Sequence, residues 1–430
     1  MSDVIRGTTT PSYGVLPSPF WLFHFHMAHT AVSKSSSPSP STSDYATQTT
    51  SSLEQVGCET LTSLSEEWSK LAMQEPFPEP FFQPYWISAF AETFHKATPI
   101  SLLTVRHNGE LAGILPMKRE SRFFGKFPAN TLRSLSGIHS SRFDFMCQPK
   151  RRDELTRAAW LQLKAEKSWD VFEAQHVPHD GRLPGILKYA KEDGYLIAQW
   201  PSQRSPYLDF PPPGGDPFKN SPPRYKSSRN RLKGYHKKLA QFGEPHLEVT
   251  NQFQEHLFER FIALEKSGWK GKHGGAIGNN ATATEFYRTA MSAASRQGHF
   301  RMYSLVLKNK PDQPIAMDMG LLINNRYYSP KIAYDESYAK CSPGILLGGM
   351  VLTDLASQGI DRFDFLGSQS RHKSIWSLAA RPHYHCYIFR PTLMGRARHA
   401  LISHVLPRIR KIKYSLYGDP QDVSARTSKK

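Results

Sequence analysis

Tyr327-Tyr328-Ser329-Pro330-Lys331-Ile332-Ala333-Tyr334, then Ser342-Pro343-Gly344, then Arg362-Phe363-Asp364-Phe365-Leu366-Gly367 are the runs that decide how this chain is read. The first is rich in β-branched and aromatic residues and ends in the turn-like Asp335-Glu336-Ser337, so it reads as a strand. Ser342 is placed to cap a helix, and Pro343 suits the first helical turn, where its missing N–H costs nothing. An apolar helix follows from Ile345 to Ser357, and Gly359 closes it. The Arg362 run is a second short strand. A strand feeding a helix whose first N–H groups point outward makes an anion site, suited to phosphate or pyrophosphate. That geometry is generic, and the spacing alone names no ligand.

The residues within this frame are more specific. Ile332-Ala333-Tyr334-Asp335 through Tyr338, Ser342 to Leu347, and Phe363 to Gly367 with Lys373 and Trp376 resemble one family. It is the branch of the GNAT acyltransferase superfamily that includes CelD/BcsL-like cellulose-biosynthesis proteins and is similar to the FemAB peptidyltransferases. Upstream, Leu264-Glu265-Lys266-Ser267-Gly268-Trp269-Lys270-Gly271 resembles a run of the same family. The resemblance runs in order from Lys226 to Trp376, with a weaker GNAT-like half before it. It implies an α/β fold of tandem GNAT-like domains, each a mixed twisted sheet flanked by helices. It also implies transfer of an acyl group from acyl-CoA, acetyl-CoA included, to an amine or hydroxyl, in envelope or cellulose-type exopolysaccharide biosynthesis. Two alternatives stay open: a FemAB-like transferase using aminoacyl-tRNA, and a non-catalytic scaffold or binding module that keeps the fold.

Composition sets outer bounds. The 430 residues suffice for two ordinary domains with tails, and 39% hydrophobic with 12% aromatic residues indicates a globular chain over most of its length. Cys58, Cys147, Cys341 and Cys386 show neither paired metal spacing nor a disulfide framework, which suits a reducing cytoplasm. A net charge of +18 favours acidic partners without choosing among nucleotides, nucleic acid, headgroups and anionic glycans. The apolar run Phe20 to Ala28 is too short to span a membrane and carries two histidines. Translation starting at either Met1 or Met27 is compatible with it. The expected location is cytoplasmic, with peripheral contact at an anionic membrane.

Residues 1–52 are Ser/Thr/Pro-rich and are expected to be a disordered tail. Helices are expected from Thr62 to Met73 and from Gln83. Ile100 to Val105, Asn108-Gly109 and Leu111 to Leu115 form a hairpin signature, followed by a strand at Phe143-Asp144-Phe145, a helix from Arg152 to Lys167 and a strand from Trp169. The order recurs from Met302 onward, entered through Pro211-Pro212-Pro213-Gly214-Gly215. The expected division is thus an N-terminal GNAT-like domain over 53–205, a C-terminal acyltransferase domain over 206–393 and a basic tail over 394–430. Arg-Phe-Asp-Phe occurs at 142–145 and at 362–365. The first copy precedes its helix and the second follows its helix, so the repeat reads as coincidence.

The resemblance places catalysis on Asp364 and Lys373, with Glu265 orienting neighbours or accepting a proton. Asp364 alternates with Phe363 and Phe365, which puts its carboxylate on the opposite strand face, free to act as a base or hold Lys373. A structural hydrogen bond is the plainer alternative. His372 stands before Lys373 where the family more typically has tyrosine. Ser342, Pro343, Gly344, Ile345 and Leu346 are the cofactor-binding candidates, donating backbone N–H groups to a donor's pyrophosphate. The usual GNAT signature, Arg/Gln-x-x-Gly-x-Gly/Ala, falls here on Cys341 and Leu346 at its ends, a departure from the pattern. Trp269, Lys270, Tyr334, Arg229 and Arg231 are the substrate-binding candidates. The last two belong to a basic run, Arg224 to Lys238, that otherwise reads as a solvated face and lacks the interleaved aromatics of a dedicated nucleic-acid surface. His383, His385 and Cys386 lie on one late strand, but only His383 and His385 share a face and no third ligand has recognisable spacing, so no metal is expected. The basic, apolar-striped segment from Met394 to Tyr414 is expected to pack on the domain, with a membrane surface as the alternative.

Overall fold

A computed structural model describes residues 48–140, 142–223 and 226–405. Its strands are β1 (Thr49–Val56), β2 (Ile100–His107), β3 (Glu110–Phe124), β4 (Phe127–Ser134), β5 (Met146–Cys147), β6 (Val171–Pro178), β7 (Leu196–Asp209), β8 (Pro245–Thr250), β9 (Phe300–Leu307), β10 (Ala316–Ile323), β11 (Arg326–Tyr334), β12 (Arg362–Asp364) and β13 (Ala380–Phe389). They form a mixed sheet in the order β1-β2-β3-β4-β6-β13-β7-β12-β11-β10-β9-β8, with β5 beside β3. The protein is an α/β fold built on this sheet, flanked by helices.

The sheet contains the same device twice. A run of antiparallel strands, β1 to β4, ends in the parallel pair β4–β6; a second run, β8 to β11, ends in the parallel pair β11–β12. In each case the crossover between the parallel strands holds a helix, Arg152–Ala165 in the first and Pro343–Ser357 in the second. This is the connection that parallel strands require. The two halves also interlock: β13, the last strand of the chain, lies between β6 and β7, and β7 continues far enough to pair with β12.

Each half is built on apolar residues at the expected periods. Leu346, Leu347, Val351, Leu352 and Leu355 bury one side of the helix Pro343–Ser357 against Tyr303, Leu305, Tyr327 and Phe363 of the sheet. The helix ends where Gly359 takes φ +74, the left-handed stop that glycine adopts most readily. On the other face of the same strands, Phe258, Phe261, Phe286 and Met291 pack with Met317 and Met319. That cluster extends into the first half through Trp68, Trp86 and Phe90.

Several details differ from the sequence expectations. Residues 49–52, expected in the tail, are the start of β1; their Ser/Thr side chains read as disorder, yet Ser52 bonds Thr104 across the strand pair at 3.0 Å. Residues 1–47 lie outside the described residues. Phe143-Asp144-Phe145 is not a strand, because Asp144 turns back to accept N–H bonds from Arg182 and Leu183; the strand comes at Met146. The basic segment begins as a helix, Leu393–Ala400, in which buried Arg398 donates to the Pro128 carbonyl and pairs with Asp170. It is thus packed on the first half as far as it is described, and residues 406–430 lie beyond.

The repeated tetrapeptide is not a coincidence without consequence. Arg142 of the first copy donates to Asp364 of the second at 2.6 Å and to Glu79 at 2.5 Å, with 1% of its surface exposed. Its guanidinium also lies over the rings of Phe81 and Tyr328. Burial alone would raise the Glu79 carboxyl, but Arg142 and Arg381 outweigh it and hold it down at about 2. Removing the arginine leaves buried Asp364 without its ion pair and Glu79 with Arg381 alone. Arg142→Met is therefore expected to cost about 3–5 kcal/mol in urea unfolding. A loss under about 1 kcal/mol would contradict this role.

Candidate functional site

The parallel pair β11–β12 is short. It pairs Arg326 with Arg362, Tyr327 with Phe363 and Tyr328 with Asp364, and there it stops, while β11 runs on to Tyr334. Beyond Asp364 the ladder between the two strands ends, so that Ser329–Tyr334 of β11 has no strand partner on that side among the described residues, and the space beside this edge is the candidate cleft. A bulge sets this parting. Between Met319 and Leu321 the register against β10 shifts, so that Ser329 and Pro330 together oppose Gly320. Pro330 is tolerated there because a bulge removes the need for its N–H. Gly320 is required at this point, since a Cβ would run into the hydroxyl of Tyr327, whose ring crosses it.

Asp318 holds the bulge. Its carboxylate accepts from Ser329 Oγ at 2.9 and 3.0 Å and from Tyr327 Oη at 3.0 Å. Burial pushes this carboxyl up to about 7, against the two hydroxyl donors and Lys270, which favour its charged form. Nothing in the sequence reading singled it out, though a lone carboxylate in the apolar strand Ala316-Met317-Asp318-Met319 was the available signal.

The parted strands gather most of the expected site residues. Glu265 is buried; one oxygen accepts from Lys270 Nζ at 3.1 Å and the other from the Ile277 N–H at 2.8 Å. Lys270 reaches on to the Ile332 carbonyl at 2.7 Å, on the part of β11 that has left β12. Lys331, also on that part, lies over the Tyr287 ring at 5.2 Å, and burial lowers its pKa. Across the cleft, Lys373 Nζ donates to the carbonyls of Leu366 and Ser368. Burial pushes Lys373 down to about 8; Asp364 opposes this and Lys270 adds to it. The carbonyls it holds follow a strained turn, in which Leu366 takes φ 53 and Gly367 φ 54.

Asp364 stands in a different relation from the one expected. One oxygen is paired with Arg142 and the other accepts the Leu366 N–H at 2.8 Å, so the carboxylate shapes the turn and has no direct bond to Lys373. The helix end also narrows. Pro343 has no N–H, and the Ile345 and Leu346 N–H groups both go to the Ser342 carbonyl. Leu346 buries its side chain in the core. Gly344 is therefore the candidate left with an N–H to offer, and it sits against the Tyr334 ring, where an added Cβ would be 3.3 Å away. Ser342, in the left-handed region at φ 49, makes no side-chain cap.

Arg229 donates to the carbonyls of Pro222 and Ile375, while Arg231 is exposed at the start of the helix Leu232–Leu239. The Trp269 side chain, and Arg224 and Tyr225, lie outside the described residues. His176 and His385 approach each other at 5.0 Å between ring centres, but no group of three metal-ligating side chains occurs among the described residues. No described helix is long and apolar enough to cross a membrane.

Residues 226–374, which contain every element of this cleft on β11, β12 and the crossover helix, match the model of the acetyltransferase (GNAT) domain. No curated protein matches the chain. Among solved structures, FemX is 11% identical with a TM-score of 0.50, covering 79% of this chain and 98% of its own. The C-terminal domain of a putative lysylphosphatidylglycerol synthetase from Agrobacterium fabrum is 10% identical, covering 80% and 96% with a TM-score of 0.47. A tandem GNAT protein from the clavulanic acid biosynthesis pathway is 13% identical, covering 80% and 99% with a TM-score of 0.40. At these identities the likeness to FemX speaks for the fold alone.

Asp318 yields a test of the geometry. Its folded pKa is raised above the ordinary carboxylate value, so the unfolded chain loses this proton first, and stability falls as pH rises from about 4 to about 7. Asp318→Asn keeps the shape without the charge. It is expected to flatten that decline and to stabilise the protein above pH 7, by at most roughly 4 kcal/mol. Parallel stability–pH curves for the two proteins would refute the assignment.

The strand pair, the crossover helix and the matching residues thus coincide: residues 226–374 match the acetyltransferase (GNAT) domain, and that match supports acyltransferase activity.

Proposed function

We propose that the cleft between β11 and β12 takes an acyl-CoA and transfers its acyl group to an amine or hydroxyl acceptor. The observation that carries this reading is the parting of a parallel strand pair beside an uncapped helix end. The free edge of β11 gives a thioester an extended groove, and the Gly344 N–H, at the positive end of a 15-residue helix, favours a phosphate. The acceptor's nitrogen or oxygen bonds to the acyl carbon, the C–S bond breaks, and the acceptor's proton ends on the CoA sulfur. Lys373 and Lys270 place positive charge at the rim, where it stabilises the oxyanion that forms in between. An envelope or exopolysaccharide precursor is the acceptor class that the CelD/BcsL-like resemblance favours.

A FemAB-like reading with an aminoacyl-tRNA donor keeps one supporting observation. Arg231, Lys233, Lys237 and Lys238 form an exposed basic face on the helix Leu232–Leu239, with no acid on that helix. Such a donor would bind with a steep salt dependence and lose activity with ribonuclease.

Thermal unfolding with CoA and acetyl-CoA separates the two. A ligand that binds only the folded state adds about 2.7 kcal/mol at a hundredfold excess over its Kd. The CoA reading predicts that rise, and predicts its loss in Gly344→Asp, whose carboxylate suits the helix end but repels a phosphate. No rise with any CoA species would overturn the reading, and ribonuclease-sensitive transfer would favour the alternative. Lys373 adds a kinetic signature. Because its pKa lies at about 8, kcat/KM is expected to fall above that pH, and the fall should vanish in Lys373→Arg, which stays charged. A Lys373→Met variant should lose about 10²–10³-fold in kcat. An unchanged pH profile in Lys373→Arg would remove this residue from the reaction.

A further inference from the structure

A second cavity, of about 640 Å³, lies at the other end of β11 and β12, where their first residues meet β13 and the loop before the helix Pro84–Phe94. Five arginines line it: Arg152, Arg182, Arg326, Arg362 and Arg381. Its carboxylates are already engaged. Glu75 pairs with Arg182, Asp180 with Arg381, and Glu79 with both Arg142 and Arg381. Asp144 accepts the N–H groups of Phe145, Arg182 and Leu183. Arg362 is matched by Asp209 at its edge.

Two guanidiniums remain. Arg152 donates only to the Gly181 carbonyl, and Arg326 meets no carboxylate among the described residues. Arg326 also stands directly opposite Arg362 in the parallel register, a like-charge pair that destabilises a sheet. Both forks are held flat on aromatic rings, Arg326 on Phe77 at 3.5 Å and Arg362 on Tyr207 at 4.0 Å. Burial first and the neighbouring Arg362 second push against the Arg326 charge, and together they outweigh Tyr328, Glu79 and Asp209, which favour it. Arg326 has no ion pair among the described residues, and Asp209 occupies Nε and Nη2 of Arg362 while leaving its Nη1 unbonded among them, so two stacked forks side by side still present N–H donors that suit an oxyanion.

We propose that this cavity binds a small organic oxyanion, a phosphate or carboxylate held between Arg326 and Arg362, with its body filling the space against Phe77 and Phe82. The cavity's volume lies within the range of metabolite pockets. It is separate from the acyl-transfer cleft, which opens past the opposite end of the same strand pair, and the inference stands whichever donor the cleft accepts.

Calorimetric titration of the full chain with inorganic pyrophosphate and, separately, with citrate tests this and distinguishes the two headgroups. At least one probe should bind, roughly tenfold or more weakly in Arg326→Gln and in Arg362→Gln, and unchanged in Gly344→Asp. Phe77→Ala guards against loss of fold, since that ring is 58% exposed; it should weaken the same probe several-fold while leaving the unfolding midpoint near the parent's. Absence of binding by both probes at millimolar concentration overturns the proposal. So does binding that survives both arginine substitutions, or that is lost in Gly344→Asp instead.

Discussion

Arg142 carries its charge inside the protein, and the carboxylates that neutralise it, Glu79 and Asp364, lie 63 and 222 residues away along the chain. A buried ion of this kind is costly unless its hydrogen bonds are complete. Here the arginine reaches both acids, and Glu79 passes the connection on to Arg381 at the start of β13. The first half, the end of β12 and the returning last strand are thereby tied at one point. Asp364 in turn accepts the Leu366 N–H, so the turn that opens the cleft is shaped by a charge that belongs to the other half.

The cleft itself follows from a few backbone constraints. The Ser329–Pro330 bulge and the left-handed Leu366–Gly367 turn lie on opposite sides of the place where β11 and β12 part. Each is fastened by a carboxylate, the first by Asp318 and the second by Asp364. Two buried acids therefore hold the backbone open, while lysines occupy the rim: Lys270 on one side and Lys373 on the other, both bonded to main-chain carbonyls. Strain at Leu366 is of the kind that persists only where surrounding structure over-determines it, as it commonly does at functional sites.

Much of this was legible in the sequence because the decisive elements carry local signals. The proline-started helix from Pro343, its glycine stop at Gly359 and the flanking strands could be placed from residue type alone. Glu265 and Lys270, named together, do meet, and Tyr334 and Gly344, named for different roles, lie against each other. What escaped depends on distant pairing. Asp364 looks free when only its strand is considered, since Arg142 is 222 residues away. Asp318 has no motif, and its significance lies in the Tyr327 and Ser329 hydroxyls that the neighbouring strand brings to it. The Ser/Thr composition of β1 resembled a tail because its partner strand was not visible in its own residues. The interlocking of β13 and β7 is likewise a property of the closed sheet.

A thioester donor lying along the parted edge of β11, with its phosphate at the helix end, would cover backbone amides there. Backbone hydrogen exchange with and without acetyl-CoA tests that most directly. Slowed exchange is expected in Ser329–Tyr334, at Gly344–Leu346 and in the turn after Asp364, with β1 to β4 unchanged. Protection confined to the first half, or none in these three segments under saturating ligand, would contradict it.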